Sequence, residues 1–305
     1  MSEEKDRSSP YIALLAAQVF FGSLPVIGKI VLKTVPPVAL VGTRVGITAA
    51  ALAAFQIYRK RFWLVNKRDY WRFAVLSLFG VVFNQLLFIT GLSLTKASNT
   101  SLLAVTIPVF ALTVGAIIGA ERLTFIKVIG IVLAAFGVLL IIDPRNASFS
   151  SATTLGDLLI IVNSLSYGIY VAISKSVITR NGVFRSIMWV FIFASILCVP
   201  LGAWSLAAID ISTVSSAIWL LVFYIAIGAT AAPYLLNAYA LRHVPASTVA
   251  VFVYLQPVIG FLLAVVFLGE QVGTLFIAAA LLIFLGVFLV SKKFGTNETS
   301  SVLSR

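Results

Sequence analysis

The stretch Lys96–Glu121, KASNTSLLAVTIPVFALTVGAIIGAE, decides the fold because the chain contains it twice. The second copy, Pro245–Glu270, reads PASTVAVFVYLQPVIGFLLAVVFLGE and aligns without a gap at a constant offset of 149 residues. In each copy an apolar helix begins at Ala-Ser, contains a proline and ends at an acid. The chain is therefore predicted to be a duplication, and its function is expected between the two copies.

The composition indicates that the protein is surrounded by lipid and not only by water. Hydrophobic residues make up 61% of the 305 residues, charged residues only 10%, and the mean hydropathy is +1.09. A water-soluble fold could not bury that much apolar surface, so lipid must cover it. Tyr11–Leu32 is long enough to span a bilayer and is followed by further apolar stretches, which is not the pattern of a cleaved secretory signal. Cys198 is the only cysteine, so an intramolecular disulfide is excluded and a packing role is expected.

A window of about 20 residues predicts ten membrane spans, five in each half. They are Tyr11–Leu32, Pro37–Tyr58, Trp71–Leu92, Ser98–Gly119, Phe125–Ile142, Leu155–Val177, Ile187–Ala207, Ala217–Ala240, Ala246–Leu268 and Leu275–Val290. The predicted fold class is an all-α integral membrane protein of ten transmembrane helices. It divides into a tail (1–10), a first five-helix repeat (11–142), a linker (143–154), a second repeat (155–290) and a second tail (291–305).

The two repeats are expected to be inverted. An odd number of spans in the first repeat makes the second enter the membrane from the opposite side. The first and sixth spans match at an offset of 146 residues, where Phe21-Gly22 and Lys29 correspond to Tyr167-Gly168 and Lys175. The difference between the two offsets predicts an insertion of about three residues in a loop.

The basic residues predict the orientation. With a cytoplasmic N-terminus, 17 of the 22 Lys and Arg residues lie on the cytoplasmic side, against Lys33, Lys96 and Arg145 outside. The expected location is the inner (cytoplasmic) membrane, with both termini in the cytoplasm. The net charge of +12 is expected to face anionic lipid headgroups, and no pattern of nucleic-acid binding is visible. The expected partners are membrane lipids and a small-molecule substrate, with no particular oligomeric state predicted.

Enzyme motifs are missing from the sequence. It contains no HExxH, no GxSxG and no phosphate loop ending in Gly-Lys-Ser/Thr, and its one histidine, His243, has no acids nearby in the sequence. We therefore expect no catalytic residues, no metal site and no cofactor.

Polar residues inside the spans are the candidates for substrate binding, because a polar group in hydrocarbon needs a partner or water. Many recur on one helix face, as Asn163, Tyr167 and Tyr170 do in the sixth span. The candidates are Gln18, Arg44, Asn84, Gln85, Asn99, Thr106, Asn163, Tyr167, Tyr170, Tyr234, Asn237 and Gln256. The alternative for the hydroxyl and amide groups is hydrogen bonding between helices, and the alternative for the tyrosines is core packing.

Arg44 lies about two turns inside the second span, and two roles are open for it. Its long side chain either reaches the headgroups or binds an anionic group, such as a substrate carboxylate, through two hydrogen bonds. Lys29 is nearer to the end of its span, and the expectation is that it reaches the headgroups.

Prolines and acids at equivalent positions predict structural roles. Pro25, Pro108 and Pro257 each remove a backbone hydrogen bond inside a span, so they are expected to shape the bundle and to let half-helices move. Glu121 and Glu270 end their helices, and each is expected to cap the helix that follows.

These features resemble the EamA type of the drug/metabolite transporter superfamily. The resemblance rests on the paired Ala-Ser…Pro…Glu helices, each followed by a helix ending in Gly-Val-Leu-Leu-Ile (at Gly137) or Gly-Val-Phe-Leu-Val (at Gly286), on the Phe-Gly…Pro…Lys opening helix and on Arg44. It implies a ten-helix inverted-repeat carrier with a central cavity lined by the first, third, fourth, sixth, eighth and ninth helices. Members mostly export amino acids or other small metabolites.

The predicted function is a secondary transporter that exports small metabolites by alternating access. The acids fall at span ends or in loops, so facilitated export fits at least as well as proton antiport. The alternatives are a channel-like protein and a lipid-modifying membrane protein.

Overall fold

Every regular element in the described part of the chain is a helix. A computed structural model describes residues 2–64, 66–119, 124–142, 151–240, 252, 255–270 and 273–291. Outside the described residues lie Glu121, most of the predicted linker, the second tail beyond residue 291 and the first turns of the predicted ninth span.

Thirteen α-helices are described, numbered here in chain order. They are α1 (Ser2–Val31), α2 (Pro37–Tyr58), α3 (Arg68–Ser77), α4 (Phe83–Leu94), α5 (Ala97–Leu103), α6 (Ile107–Ile117), α7 (Phe125–Ile142), α8 (Ala152–Asn181), α9 (Val183–Ala207), α10 (Ser216–Ala226), α11 (Ala232–Ala240), α12 (Leu255–Leu268) and α13 (Thr274–Ser291). Helix α1 begins within the predicted N-terminal tail, and α8 continues to Asn181, four residues beyond the predicted sixth span.

Six continuous helical segments of the described chain are long and apolar enough to cross a membrane. They are Ser9–Val31, Pro37–Tyr58, Arg68–Leu94, Ala152–Ser174, Val183–Ala207 and Ser216–Asn237. Shorter apolar helices cover Phe125–Gly137, Val258–Leu268 and Thr274–Gly286. The protein is therefore an all-helical membrane protein over its described residues.

Three of the predicted spans are interrupted. A π turn, Leu78–Val82, joins α3 to α4. A second π turn, Ile227–Ala231, joins α10 to α11 and lies 149 residues later, which is the offset between the duplicated stretches. A 3-10 turn, Ala104–Thr106, separates α5 from α6, and Pro108 stands in the first turn of α6. Proline is tolerated in a first turn, where its missing N–H is not needed, so the break lies just before it. Single π turns inside helices are frequent at functional sites.

Helix pairing follows the duplication. Helix α2 packs along α9, and α7 along α13. Helix α8 packs against α4 and α6, while α1 packs against the corresponding α11 and α12. Each half therefore buries its first helix between two helices of the other half.

Glycines allow the close approach of the paired helices. A Cβ added to Gly137 would lie 2.6 Å from a side-chain carbon of Ile283, and one added to Gly286 would lie 2.6 Å from the backbone nitrogen of Ala134. The two contacts are equivalent in the duplication, because Gly286 corresponds to Gly137 and Ile283 to Ala134 at the offset of 149 residues. Small residues at helix crossings let backbones approach within van der Waals contact in a bilayer.

Candidate functional site

Polar contacts define two ends of the bundle. Near the turn between α4 and α5, Lys29 Nζ donates to the carbonyl oxygen of Ser93 at 3.3 Å, and the Thr95 hydroxyl donates to Asp157 at 2.6 Å. We call this the hairpin end, after residues 93–99. Because Asp157 lies near the start of α8 while Thr95 follows the end of α4, the two helices run antiparallel. The start of α3 and the end of α8 mark the opposite end.

At the hairpin end, two carboxylates of the second half, Asp157 and Glu270, bind the turn between α4 and α5 in the first half. Asp157 is only 2% exposed and accepts from the Asn99 side-chain amide at 3.2 and 3.3 Å as well as from Thr95. Glu270 accepts from the backbone N–H groups of Ala97 and Ser98 at 2.8 and 3.0 Å, and also from the Ser98 hydroxyl. Glu270 thus caps α5.

The structure shows Glu270 capping α5, whereas the prediction concerned the helix that follows Glu270 in the chain. Its carboxylate lies at the N-terminus of α5, where free N–H groups and the positive end of the helix dipole attract an anion. Asn99, a predicted substrate-binding residue, donates to Asp157 at this end of the bundle. Sequence spacing could not reveal either contact, since both join residues of different halves.

The opposite end carries an ion pair between halves. Asp69 is fully buried and accepts from Arg180 at 2.6 and 2.9 Å, from Asn181 at 2.7 Å and from Arg72 at 3.2 Å. The hydrogen bond to Asp69 raises the pKa of the Arg180 guanidinium. Helix α8 is therefore tied to the α3–α4 pair by one carboxylate at each end.

Arg44 lies between these ends and is almost fully buried, with 2% of its surface exposed. Its Nε donates to the Thr230 hydroxyl at 2.9 Å, and that hydroxyl donates in turn to the carbonyl oxygen of Ile225 at 2.7 Å. Such burial excludes contact with lipid headgroups in this conformation, so that alternative for Arg44 is wrong. The guanidinium is directed at the π turn between α10 and α11.

Three tyrosines form an aromatic layer next to Arg44. The Tyr234 ring contacts Phe21 and Phe191 edge-on, at centroid distances of 5.8 and 5.9 Å. Tyr234 and Tyr167 pack against the same buried core cluster, which includes Tyr170, and the Tyr167 ring lies 5.4 Å from that of Tyr170. The Tyr170 ring covers Gly80 in the other π turn, where a Cβ would lie only 2.5 Å from it. The two π turns thus adjoin the same aromatic layer.

Two amide pairs flank this layer. Gln256 Nε2 donates to Gln18 Oε1 at 2.7 Å, and Asn84 Nδ2 donates to Asn163 Oδ1 at 2.6 Å. Gln18 is three residues before Phe21 on α1, and Asn163 is four before Tyr167 on α8, so each pair lies roughly 5–6 Å along its helix from the aromatic layer. Because α1 and α8 run in opposite directions, the pairs lie on opposite sides of the layer.

The other predicted residues take different positions. Gln85 is buried on α4, and the Thr106 hydroxyl donates to the carbonyl of Leu103 in its own helical segment. Asn237 Oδ1 on α11 is buried without a hydrogen-bond partner among the described residues. Pro25 lies inside the continuous helix α1. The side chains of Pro108 and Pro257, and Glu121 as a whole, lie outside the described residues.

The candidate list lacks several residues that join the halves. Thr48 on α2 donates to the carbonyl of Ala226 at 2.9 Å, and Ser166 on α8 donates to the carbonyl of Phe79 at 2.9 Å. The Ala226 carbonyl immediately precedes one π turn, and the Phe79 carbonyl lies inside the other. Their sequence signal is a hydroxyl inside a span, which does not distinguish them from residues that only bond within their own helix, such as Thr43.

Known proteins resemble this chain along its whole length. An uncharacterized transporter of Archaeoglobus fulgidus is 26% identical over 285 residues, which is 93% of this chain and 99% of the relative. The uncharacterized transporter YyaM of Bacillus subtilis (strain 168) is 23% identical over 303 residues, 96% of this chain and 98% of the relative. A protein crystal structure with 20% identity matches the fold with a TM-score of 0.59, covering 93% of this chain and 97% of its own.

A family model gives the assignment. The model of the EamA-like transporter family matches residues 8–143 and 154–292, the two segments that the hydrogen bonds described above join. With apolar helices that can cross a bilayer and relatives named transporters, the protein is a membrane transporter. The chain belongs to the EamA-like transporter family.

Proposed function

We propose that this protein is a secondary transporter that moves small metabolites, amino acids or related compounds, across the cytoplasmic membrane by alternating access. Export is the proposed direction, and it rests on the family to which the chain belongs. The proposed topology is ten spans in two inverted five-helix repeats, with both termini in the cytoplasm.

One observation carries the proposal: buried and half-buried polar side chains meet between the halves. Arg44 with Thr230, Gln18 with Gln256, and Asn84 with Asn163 each join one half to the other. Polar groups in hydrocarbon are costly and mark substrate paths in membrane proteins. A row of amides, tyrosines and an arginine between the halves therefore supports a path for a polar solute.

Equivalent structural features in the two halves support the proposed inverted repeats. The two π turns share the offset of 149 residues that relates the duplicated stretches, and the glycine contacts of α7 and α13 are reciprocal. Such repeats open alternately to the two sides by rocking against each other. In the proposed cycle, release at the hairpin end requires Glu270 and Asp157 to part from residues 95–99.

Counterflow in proteoliposomes tests this function. Purified protein is reconstituted, loaded with one unlabelled solute from a panel of amino acids, organic acids, sugars and nucleosides, and offered the same solute with a radioactive label. A carrier accumulates label transiently with saturable kinetics, and liposomes without protein do not. A linear flux that does not saturate would favour a channel, and absence of flux for every solute would overturn the transporter.

A further inference from the structure

The strongest unexplained feature is the unpaired charge of Arg44. Its Nη1 is buried and has no hydrogen-bond partner among the described residues, while its Nε is occupied by Thr230. Among the described residues no carboxylate forms a salt bridge with Arg44, and the Asp69 carboxylate, which pairs with Arg72 and Arg180, lies at the far end of the bundle. The described surroundings thus supply hydroxyls but no carboxylate.

A structural role at the π turn does not account for this charge. The Thr230 hydroxyl already donates to the carbonyl of Ile225, and Thr48 donates to that of Ala226. Neutral hydroxyls therefore satisfy the carbonyls of Ile225 and Ala226, which immediately precede the turn. Towards Arg44, the Thr230 hydroxyl acts only as an acceptor. A neutral donor at position 44 could make the same bond without the cost of burying a charge.

A bound anion would remove that cost. Guanidinium groups bind carboxylates through paired N–H donors, and such charge-assisted bonds are strongest where water is excluded. Tyr234 lies four residues after Thr230, which binds Arg44, and its ring contacts Phe21 edge-on, so an apolar or aromatic body attached to the carboxylate would meet ring surfaces.

We propose that Arg44 binds the carboxylate of the transported solute and that the rings of Tyr234, Tyr167 and Phe21 contact its body. This assigns a substrate class, small carboxylates, and it rests on the transport function proposed above. No acid of the described residues lies in this layer to select an ammonium group, so acids without an amino group are included.

The test compares carboxylates with their neutral amides in the counterflow assay. The pairs are benzoate with benzamide, pyruvate with pyruvamide, and phenylalanine with phenylalanine amide. We expect the native protein to carry at least one carboxylate about ten-fold better than its amide, as loss of a charge-assisted hydrogen bond predicts. A native protein that carries solutes but favours amides throughout would overturn the assignment.

Variants connect the preference to Arg44. Arg44→Gln is expected to lose about ten-fold in carboxylate counterflow, and Arg44→Lys to lose less, because lysine keeps the charge without the planar fork. Arg59→Gln makes the same change at an exposed position at the end of the same helix and is expected to transport as the native protein does.

The outcomes separate the two proposals. If Arg44→Gln keeps the native carboxylate preference, Arg44 is not the anion site, although the transporter stands. If Arg44→Gln does not fold, the preference of the native protein for carboxylates over amides decides the substrate class. If the native protein shows no counterflow for any solute, the transport function fails, and the substrate assignment fails with it.

Discussion

The carboxylate of Glu270 accepts a hydrogen bond from the backbone nitrogen of Ser98 at 3.0 Å, although 172 residues separate the two in sequence. Ser98 belongs to the first copy of the duplicated stretch, and Glu270 ends the second. Each copy therefore supplies one partner of this contact, and the contact closes the hairpin end of the bundle.

Glu270→Ala is expected to destabilise the protein by about 1–3 kcal/mol, because it leaves buried N–H groups of α5 without an acceptor. Unfolding of the purified protein in detergent measures the loss. Asp210→Ala is the control, since that carboxylate also accepts from a backbone N–H, at Ser212, but is exposed. Equal losses for the two variants would contradict a capping role for Glu270.

The sequence predicted the helical class and a break in the helix near Pro108. It could not predict which polar residues meet. The pairs Gln18–Gln256 and Asn84–Asn163 join different halves, and neither pair follows the repeat offset, so no periodicity within a helix indicates them. The π turns were also missed, because no local residue pattern distinguishes Leu78–Val82 from an ordinary helical stretch.

The crossing of α2 and α9 depends on two glycines. A Cβ on Gly42 would lie 2.5 Å from the Cα of Gly202 and from the carbonyl oxygen of Cys198. Gly42→Ala is therefore expected to destabilise the protein by about 1–3 kcal/mol, since backbone atoms must shift. Gly273→Ala is the control, because no atom of the described residues lies within 4 Å of an added Cβ there, and it is expected to be nearly neutral in the same unfolding measurement.

The proposed topology predicts which positions an impermeant thiol reagent reaches. Arg185 Nε donates to the carbonyl of Arg61, which brings the α2–α3 loop to the end of the bundle that carries Arg180. In intact cells, Lys60→Cys is expected to stay unlabelled until the membrane is opened, while Asp210→Cys is expected to be labelled directly. Labelling of both positions from the same side would contradict the assigned ends.

The amide pairs are expected to behave as units. Gln256→Leu leaves the buried Gln18 amide without its partner and is expected to cost about 1–3 kcal/mol. Gln18→Leu leaves the half-buried Gln256 amide without its partner and is expected to cost less, and the double variant is expected to recover part of the loss. Counterflow by the double variant is nevertheless expected to fall, because the proposed solute path then lacks one of its two amide pairs. Additive losses of stability, or normal counterflow in the double variant, would show that the pair has no joint role.

The central claim is that the halves separate at the hairpin end during transport, and a reversible cross-link there tests it most directly. Ser98→Cys combined with Glu270→Cys is oxidised or bridged by a short bis-thiol reagent in proteoliposomes, with each single variant as control; the native Cys198 is buried. Counterflow should disappear as the cross-link forms and return on reduction, while the single variants stay active. Undiminished counterflow in fully cross-linked protein would contradict the account.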